Sequence, residues 1–132
     1  VGGITVASEA LTLAGTLRGA TGSNTYAGSI TLSGAGGFES VEAGETLTLS
    51  GPINLGAHQA TFSGAGDTSV TGVVSNSAGS VVKNGAGTLT FSGANTYACA
   101  TTVNAGTLVV SHGSALGTTA GGTTVASGAT LA

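Results

Sequence analysis

Three carboxylates lie close together in the first half of the chain, at Glu39, Glu42 and Glu45. Paired carboxylates can act as general acid and base, and carboxylate oxygens can also hold Ca²⁺. Either chemistry needs a positioned partner, and no His or Arg lies nearby in the sequence. Because acidic runs are usually solvated, we expect a surface corner whose charges favour solubility rather than a site.

The two histidines, His58 and His112, each stand beside small turn-forming residues, 54 positions apart (112 − 58). They could share a metal only if the fold aligned them, and no further ligand has the spacing of a metal site. We therefore expect a lone surface imidazole at each position. Asp67, in a Gly-Asp-Thr turn, is expected to cap that turn through its own backbone. The sequence thus predicts neither a metal site nor a cofactor.

Cys99 is the single cysteine, so it cannot form an internal disulfide. Three interpretations remain open: a native buried thiol, an introduced site for labelling or cross-linking, and an intermolecular disulfide. A catalytic thiol is not expected, because neither histidine is a sequence neighbour and a reactive thiolate needs an electropositive setting. The chain also has no Gly-x-Ser-x-Gly elbow for a hydrolase triad. We therefore expect no catalytic residue and no enzyme activity.

Composition favours a β-rich fold and excludes two classes of partner. Of the 132 residues, 40% are hydrophobic, 5% are charged and 25 are glycine. The recurrence of Val, Ile, Leu and Thr argues against a disordered Gly-rich linker. Only Arg18 and Lys83 carry a fixed positive charge, which is too little to neutralise a nucleic-acid backbone, so no nucleic acid is expected as a partner. No apolar run approaches the length that spans a bilayer, so we expect no membrane insertion by this segment.

Short strand-like phrases recur about every 20 residues. In Leu89-Thr90-Phe91 the apolar side chains alternate with an outward threonine, which is the period of a strand. If one apolar residue is taken from each strand-like segment, the residues fall into two interleaved series, which we call anchors. The first series is Leu13, Leu32, Leu49, Val70, Phe91, Val110 and Leu131, and the second is Val41, Phe62, Val82, Val103 and Val125. This pattern predicts a β-solenoid, a coil of parallel strands whose interior is filled by the anchors. Threonines are expected to stand outward in ladders, at Thr12, Thr31, Thr48 and Thr90.

A repeat of longer spacing includes the two tyrosines. Residues 24–27, Asn-Thr-Tyr-Ala, recur as residues 95–98, an offset of 71 positions (95 − 24). We therefore expect Tyr26 and Tyr97 to occupy equivalent places, half buried at corners of the coil. In the same register Gly28 corresponds to Cys99.

Residues 85–97, GAGTLTFSGANTY, followed by residues 101–108, TTVNAGTL, resemble the autotransporter passenger-associated β-strand repeat. The resemblance is strong over 81–110, about a quarter of the chain, and weaker echoes cover much of the rest. It implies an all-β, right-handed parallel β-helix, exported through the outer membrane of a Gram-negative bacterium and then secreted or held at the cell surface. In that family the helix serves as a stalk or scaffold, and any activity usually lies in inserted loops or another domain.

No insertion long enough to form such a domain interrupts the repeats, so residues 1–132 are expected to form a single β-helix segment of a longer passenger domain. The expected function is that of a non-enzymatic structural stalk. An alternative is an adhesin that binds a host glycan or protein through its threonine ladders or loops. A remoter alternative is an ice-binding surface, for which only residues 46–48 and 88–90 have paired outward threonines. Open strand edges at the two ends of the coil also predict end-to-end self-association.

Overall fold

The computed structural model describes residues 3–76 and 78–132, and every helix or strand assigned in them is a β-strand. Tight turns separate the strands, as expected where Gly, Ser and Asn interrupt short runs of Val, Leu, Ile and Thr. The described residues form no helix of the length and apolar character that crossing a membrane requires. The strands are β1 (Thr5–Val6), β2 (Leu11–Leu13), β3 (Thr16–Gly19), β4 (Asn24–Tyr26), β5 (Ile30–Leu32), β6 (Gly36–Ser40), β7 (Thr46–Leu49), β8 (Ile53–Asn54), β9 (Gln59–Ser63), β10 (Asp67–Val70), β11 (Val74–Ser75), β12 (Ser80–Lys83), β13 (Thr88–Phe91), β14 (Ala100–Val103), β15 (Thr107–Val110), β16 (Thr123–Val125) and β17 (Thr130–Leu131).

Consecutive strands belong to three different sheets, so the chain winds as a coil. Sheet A contains β1, β4, β7, β10, β13, β15 and β17; sheet B contains β2, β5, β8 and β11; sheet C contains β3, β6, β9, β12, β14 and β16. Pairing is parallel: Asp67 pairs with Thr46, and Leu89 pairs with Thr68, each one coil apart along the chain. The predicted all-β parallel solenoid is confirmed, with about six coils of about 21 residues each.

The interior is filled by alternate residues of each strand. In β7 and β13 the side chains of Leu47, Leu49, Leu89 and Phe91 are buried, whereas the threonines between them are partly exposed. Equivalent positions of successive coils lie above one another because the strands pair in parallel and in register. The buried apolar side chains therefore form one continuous core that no single coil could build alone.

The first predicted anchor series follows the interior only in part. Leu13 and Leu32 pair with each other in sheet B, whereas Leu49 lies in sheet A. The series therefore crossed from one sheet to another, which explains why the gap between Leu32 and Leu49 is shorter than a full coil. At its end, Leu131 pairs with Leu108 and not with the preceding anchor of the series.

The second predicted series is wrong at two positions. Phe38, not Val41, pairs with Phe62 in sheet C, and Val41 lies outside the strands. One coil further along, Phe62 pairs with Lys83, so Val82 faces outward instead of into the core. A polar residue thus occupies an interior column that hydrophobicity alone assigned to its neighbour.

Tyr26 and Tyr97 do not occupy equivalent places, contrary to the prediction. Tyr26 lies in β4 of sheet A, whereas Tyr97 follows β13 in a segment bonded to β11 of sheet B, where Thr96 N donates to Val74 O at 2.9 Å. The distance along the chain between the two Asn-Thr-Tyr-Ala segments is not a whole number of coils, so similar sequences fall on different sheets. Both rings are buried rather than half buried.

One corner of the coil is built from glycine in four successive coils, at Gly28, Gly51, Gly72 and Gly93. A Cβ atom at Gly51 would overlap the carbonyl oxygen of Gly28, and one at Gly72 would overlap that of Gly51. Stacked strands are only about 4.8 Å apart, so the backbones at this corner leave no room for a side chain. Gly93, and not Cys99, therefore continues the column of Gly28.

An aromatic chain runs through the core. The ring centroids of Phe38 and Phe62 are 5.0 Å apart in a stacked arrangement. Phe91 meets Phe62 edge to face at 5.6 Å, and Tyr97 meets Phe91 in the same way at 6.5 Å. These geometries are the favoured ones for aromatic pairs. The four rings link sheets A and C with the segment that extends sheet B.

Candidate functional site

The outer surface of sheet A carries two columns of mostly hydroxyl side chains, which we call the sheet A face. Its columns are Thr5, Thr25, Thr48, Ser69, Thr90 and Val109, and beside them Thr46, Asp67, Thr88, Thr107 and Thr130. Neighbours within a column are about 4.8 Å apart, the spacing of paired strands. The face can therefore offer a regular series of hydrogen-bonding groups to a polar surface.

Asp67 does not cap its own turn, contrary to the prediction. Its Oδ1 accepts a hydrogen bond from Thr88 N at 2.8 Å, one coil further along the chain. Ser23 has the same role earlier in the column, where its Oγ accepts from Thr46 N at 3.1 Å. Parallel stacking brings the start of the next strand closer to these side chains than their own turn. Asp67 thus joins two coils.

A shallow open groove of about 340 Å³ lies on the outer surface of sheet C. It forms where Gly37 has no side chain and its paired neighbours, Thr16 and Thr61, do. Glu39 and Ser63 complete its polar lining. Hydroxyls and a carboxylate in such a groove can hydrogen-bond a polar ligand, although the lining has no aromatic ring on which a sugar could stack.

The three clustered carboxylates are separated by the fold. Glu39 lies in β6 beside Arg18 of β3, and Arg18 Nε is 2.9 Å from Glu39 Oε2. The sequence offers no partner close to the cluster, and the fold supplies Arg18 to Glu39 from the preceding coil. Glu42 is exposed and Glu45 is partly exposed in the following turn. Both members of the ion pair are solvent accessible, so the pair contributes little to stability.

The two histidines lie in different turns. His58 is partly exposed between β8 and β9, and His112 is exposed after β15, where its Nδ1 accepts a hydrogen bond from Ser114 N at 3.0 Å. Within residues 3–76 and 78–132, no group of three or more His, Cys, Asp or Glu side chains converges.

Cys99 is buried and its thiol is free. Burial raises the pKa of the thiol above its ordinary value of 9.0, because the thiolate would be poorly solvated in the core. A protonated thiol is a poor nucleophile. This environment favours the buried-thiol interpretation among the three that the sequence left open, and it makes rapid labelling of the folded chain unfavourable.

Lys83 is the buried charge that sequence reasoning missed. Its side chain is only 3% exposed, and its Nζ donates to the carbonyl oxygens of Asn84 at 2.7 Å, Gly85 at 2.9 Å and Ala105 at 3.4 Å. Burial lowers the pKa of this ammonium group, and the charge of Asp67 opposes the change. The signal was present in the spacing, since Lys83 lies one coil length after Phe62, in the same interior column.

These features define a parallel β-solenoid with one continuous, mainly apolar core and polar outer faces. Residues 81–110 match the family model of the Passenger-associated-transport-repeat. This stretch is thus an autotransporter passenger repeat, as the resemblance predicted, and that family implies export by Gram-negative bacteria. The match covers about a quarter of the chain. A search of the curated proteins and a search of the solved structures found no similar protein.

Proposed function

We propose that this chain is a non-enzymatic stalk segment of an autotransporter passenger, secreted or displayed at the surface of a Gram-negative bacterium. The observation that carries the proposal is the single core, which continues from Leu13 to Leu108 with no inserted unit. In the described part of the chain, the longest stretch without an assigned strand is residues 111–122. Each coil packs on its neighbours, so the whole segment can hold other parts of the exported protein at a distance.

The dimensions follow from the strand spacing. About six coils at about 4.8 Å per coil give a rod of about 30 Å. A stalk requires that the continuity of the core is kept. It does not require particular outward side chains.

Deletion of one whole coil tests the stalk proposal. Gly64 and Gly85 occupy the same corner in successive coils, so removal of residues 64–84 joins equivalent positions and shortens the rod by about 4.8 Å. The variant is to be exported as a fusion to an outer-membrane anchor with an epitope at the distal end. We expect unchanged surface display of the epitope and cooperative unfolding of the purified segment.

The matched control removes residues 64–73, which is about half a coil. It places strands of different sheets opposite one another, so we expect loss of both folding and display. The stalk proposal fails if the whole-coil deletion folds but display of the epitope is lost, since a stalk should tolerate the removal of one coil.

A second candidate function is adhesion through the sheet A face. The observation that favours it is the alignment of Thr25, Thr48, Ser69 and Thr90 in one outward column. Binding of the purified chain to a glycan array and to host cells tests it. A Thr48→Val, Thr90→Val variant should lose binding, whereas Thr12→Val, Thr31→Val on sheet B should keep it.

If neither the wild-type chain nor either variant binds, the adhesion candidate is contradicted and the stalk proposal is unaffected. The same Thr→Val variants test the remoter ice-binding alternative, with thermal hysteresis as the measurement. The structure shows that the paired threonines at positions 46–48 and 88–90 lie on one sheet, with Asp67 and Ser69 in the coil between them.

We also propose that copies of the segment associate end to end. At one end, an apolar pocket of about 160 Å³ is lined by Ile4, Val6, Leu17 and Tyr26, among others. At the other end, β17 is the edge strand of sheet A and Leu131 is 40% exposed. Parallel pairing requires the last coil of one copy to meet the first coil of the next.

Sedimentation velocity at increasing concentration tests this association. We expect the mean sedimentation coefficient to rise with concentration and the rise to disappear in Leu131→Lys. Thr90→Lys, which adds the same charge in the middle of the rod, should retain it. A chain that stays monomeric at the highest concentration contradicts the proposal.

A further inference from the structure

The sequence Asn84-Gly85 lies at a corner between β12 and β13, next to the buried ammonium group of Lys83. An asparagine followed by glycine can cyclise, because glycine has no side chain that shields its backbone nitrogen from the neighbouring amide. Within the described part of the chain, no hydrogen bond occupies the Gly85 N–H. Asn84 is also partly exposed, so water can reach it.

Two hydrogen bonds at this corner act on the two reacting groups. Lys83 Nζ donates to the backbone oxygen of Asn84 at 2.7 Å, and this oxygen belongs to the peptide bond that contains Gly85 N. A cation at that oxygen stabilises the charge that develops when the nitrogen loses its proton. Asn104 Nδ2 donates to Asn84 Oδ1 at 2.9 Å, which is the oxygen that becomes negative when the side-chain carbonyl is attacked.

We propose that Asn84 is a site of spontaneous deamidation that the folded corner promotes. Gly85 N attacks Asn84 Cγ and loses its proton, the bond from Cγ to Nδ2 breaks, and ammonia leaves. The resulting five-membered imide takes up water at one of its two carbonyl carbons. The product at position 84 is aspartate or isoaspartate, so the chain gains one negative charge.

The product changes the stacking of two coils. Asn84 N donates to Phe62 O at 2.7 Å, and Asn104 N donates to Lys83 O at 2.9 Å. The methylene group that isoaspartate adds to the backbone lies after Asn84 Cα, between this peptide unit and Gly87 N, which donates to Gly64 O at 3.2 Å, so the path from one rung to the next lengthens. Aspartate keeps the backbone spacing and places a carboxylate beside Asn104 Nδ2.

Incubation of the purified full chain at mildly alkaline pH, followed by peptide mass spectrometry, tests the proposal. The same chain unfolded in concentrated urea supplies the rate without the fold. We expect Asn84 to convert in the folded chain at least as fast as in the unfolded one. Asn95 is the internal control, because its Oδ1 and Nδ2 are both held, by Val74 N and Ala115 O.

Two variants separate the contributions. Lys83→Met removes the cation and keeps an apolar stem in the column, and Asn104→Ala removes the donor to the side-chain carbonyl. Each should slow conversion of Asn84 about tenfold in the folded chain, the effect of about 1.4 kcal/mol at the transition state. Neither should change the rate in urea. An Asn84 that stays intact in the folded chain, or variants that convert at the wild-type folded rate, overturn the proposal.

Discussion

Phe62→Ala should test whether the core is one continuous structure. Phe62 is 1% exposed and contacts the rings of both Phe38 and Phe91, so its removal opens a cavity in the middle of the aromatic chain. Truncation of a buried phenylalanine costs about 3–5 kcal/mol, and the loss of two ring contacts places the expected value near the upper end. Small domains have only about 5–15 kcal/mol of stability in total.

The assay is urea denaturation followed by circular dichroism, which gives both the free energy of unfolding and its dependence on denaturant. Because each coil is stabilised by its neighbours, we also expect a smaller m-value when the coils on the two sides of Phe62 unfold separately. The matched control is Ser63→Ala, an outward position of the same strand, with an effect within about 0.5 kcal/mol. A loss below about 1 kcal/mol with an unchanged m-value would refute the continuous core.

Three further predictions concern the corner, the thiol and the ion pair. Gly51→Ala should strongly destabilise the fold, since the added Cβ atom would overlap the Gly28 backbone. Gly113→Ala should not, since the added Cβ atom would contact no other group; the melting temperatures of the two variants test this. The pKa of the Cys99 thiol is raised in the folded chain, so the folded chain holds this proton more tightly than the unfolded chain. The contribution of the thiol to the free energy of unfolding is therefore complete below pH 9.0 and is lost as the pH rises through the folded pKa. The free energy of unfolding of the wild type relative to Cys99→Ala should therefore fall as the pH rises above 9.0, and a constant difference would contradict the assignment. Arg18→Ala should change the free energy of unfolding by less than about 1 kcal/mol in denaturation, because the pair is exposed; a larger loss would mean that the ion pair is structural.

Local pattern predicted the strands well but assigned residues to columns less well. The alternation in Leu89-Thr90-Phe91 is confirmed, since the two apolar side chains are buried and the threonine faces outward. Val82 was preferred over Lys83 as an anchor because a hydrophobic scale cannot recognise that an ammonium group can reach three backbone carbonyls. The hydrogen bonds that make Lys83 acceptable in the interior come from the corner itself and from the next coil.

The candidate functional residues show the same limit of prediction from local sequence. The sequence has no His or Arg near the three glutamates, yet Arg18 reaches Glu39 from the preceding coil because β3 and β6 pair in register. The sequence likewise predicts that Asp67 caps its own turn, because only its sequence neighbours are considered. In a solenoid the nearest partner of a side chain is often one coil away, and a search limited to sequence neighbours cannot find it.

The amino-acid sequence by itself determined the class of fold, because short apolar phrases that recur at a regular period can bury their side chains only by stacking on one another. It also determined the repeat in residues 81–110, which the family model matches. Tertiary structure alone decided which sheet each phrase joins, which glycines meet at a corner and which polar groups enter the core. These depend on the length of each coil, which varies by a few residues, and a shift of one residue along a strand exchanges its inner and outer faces.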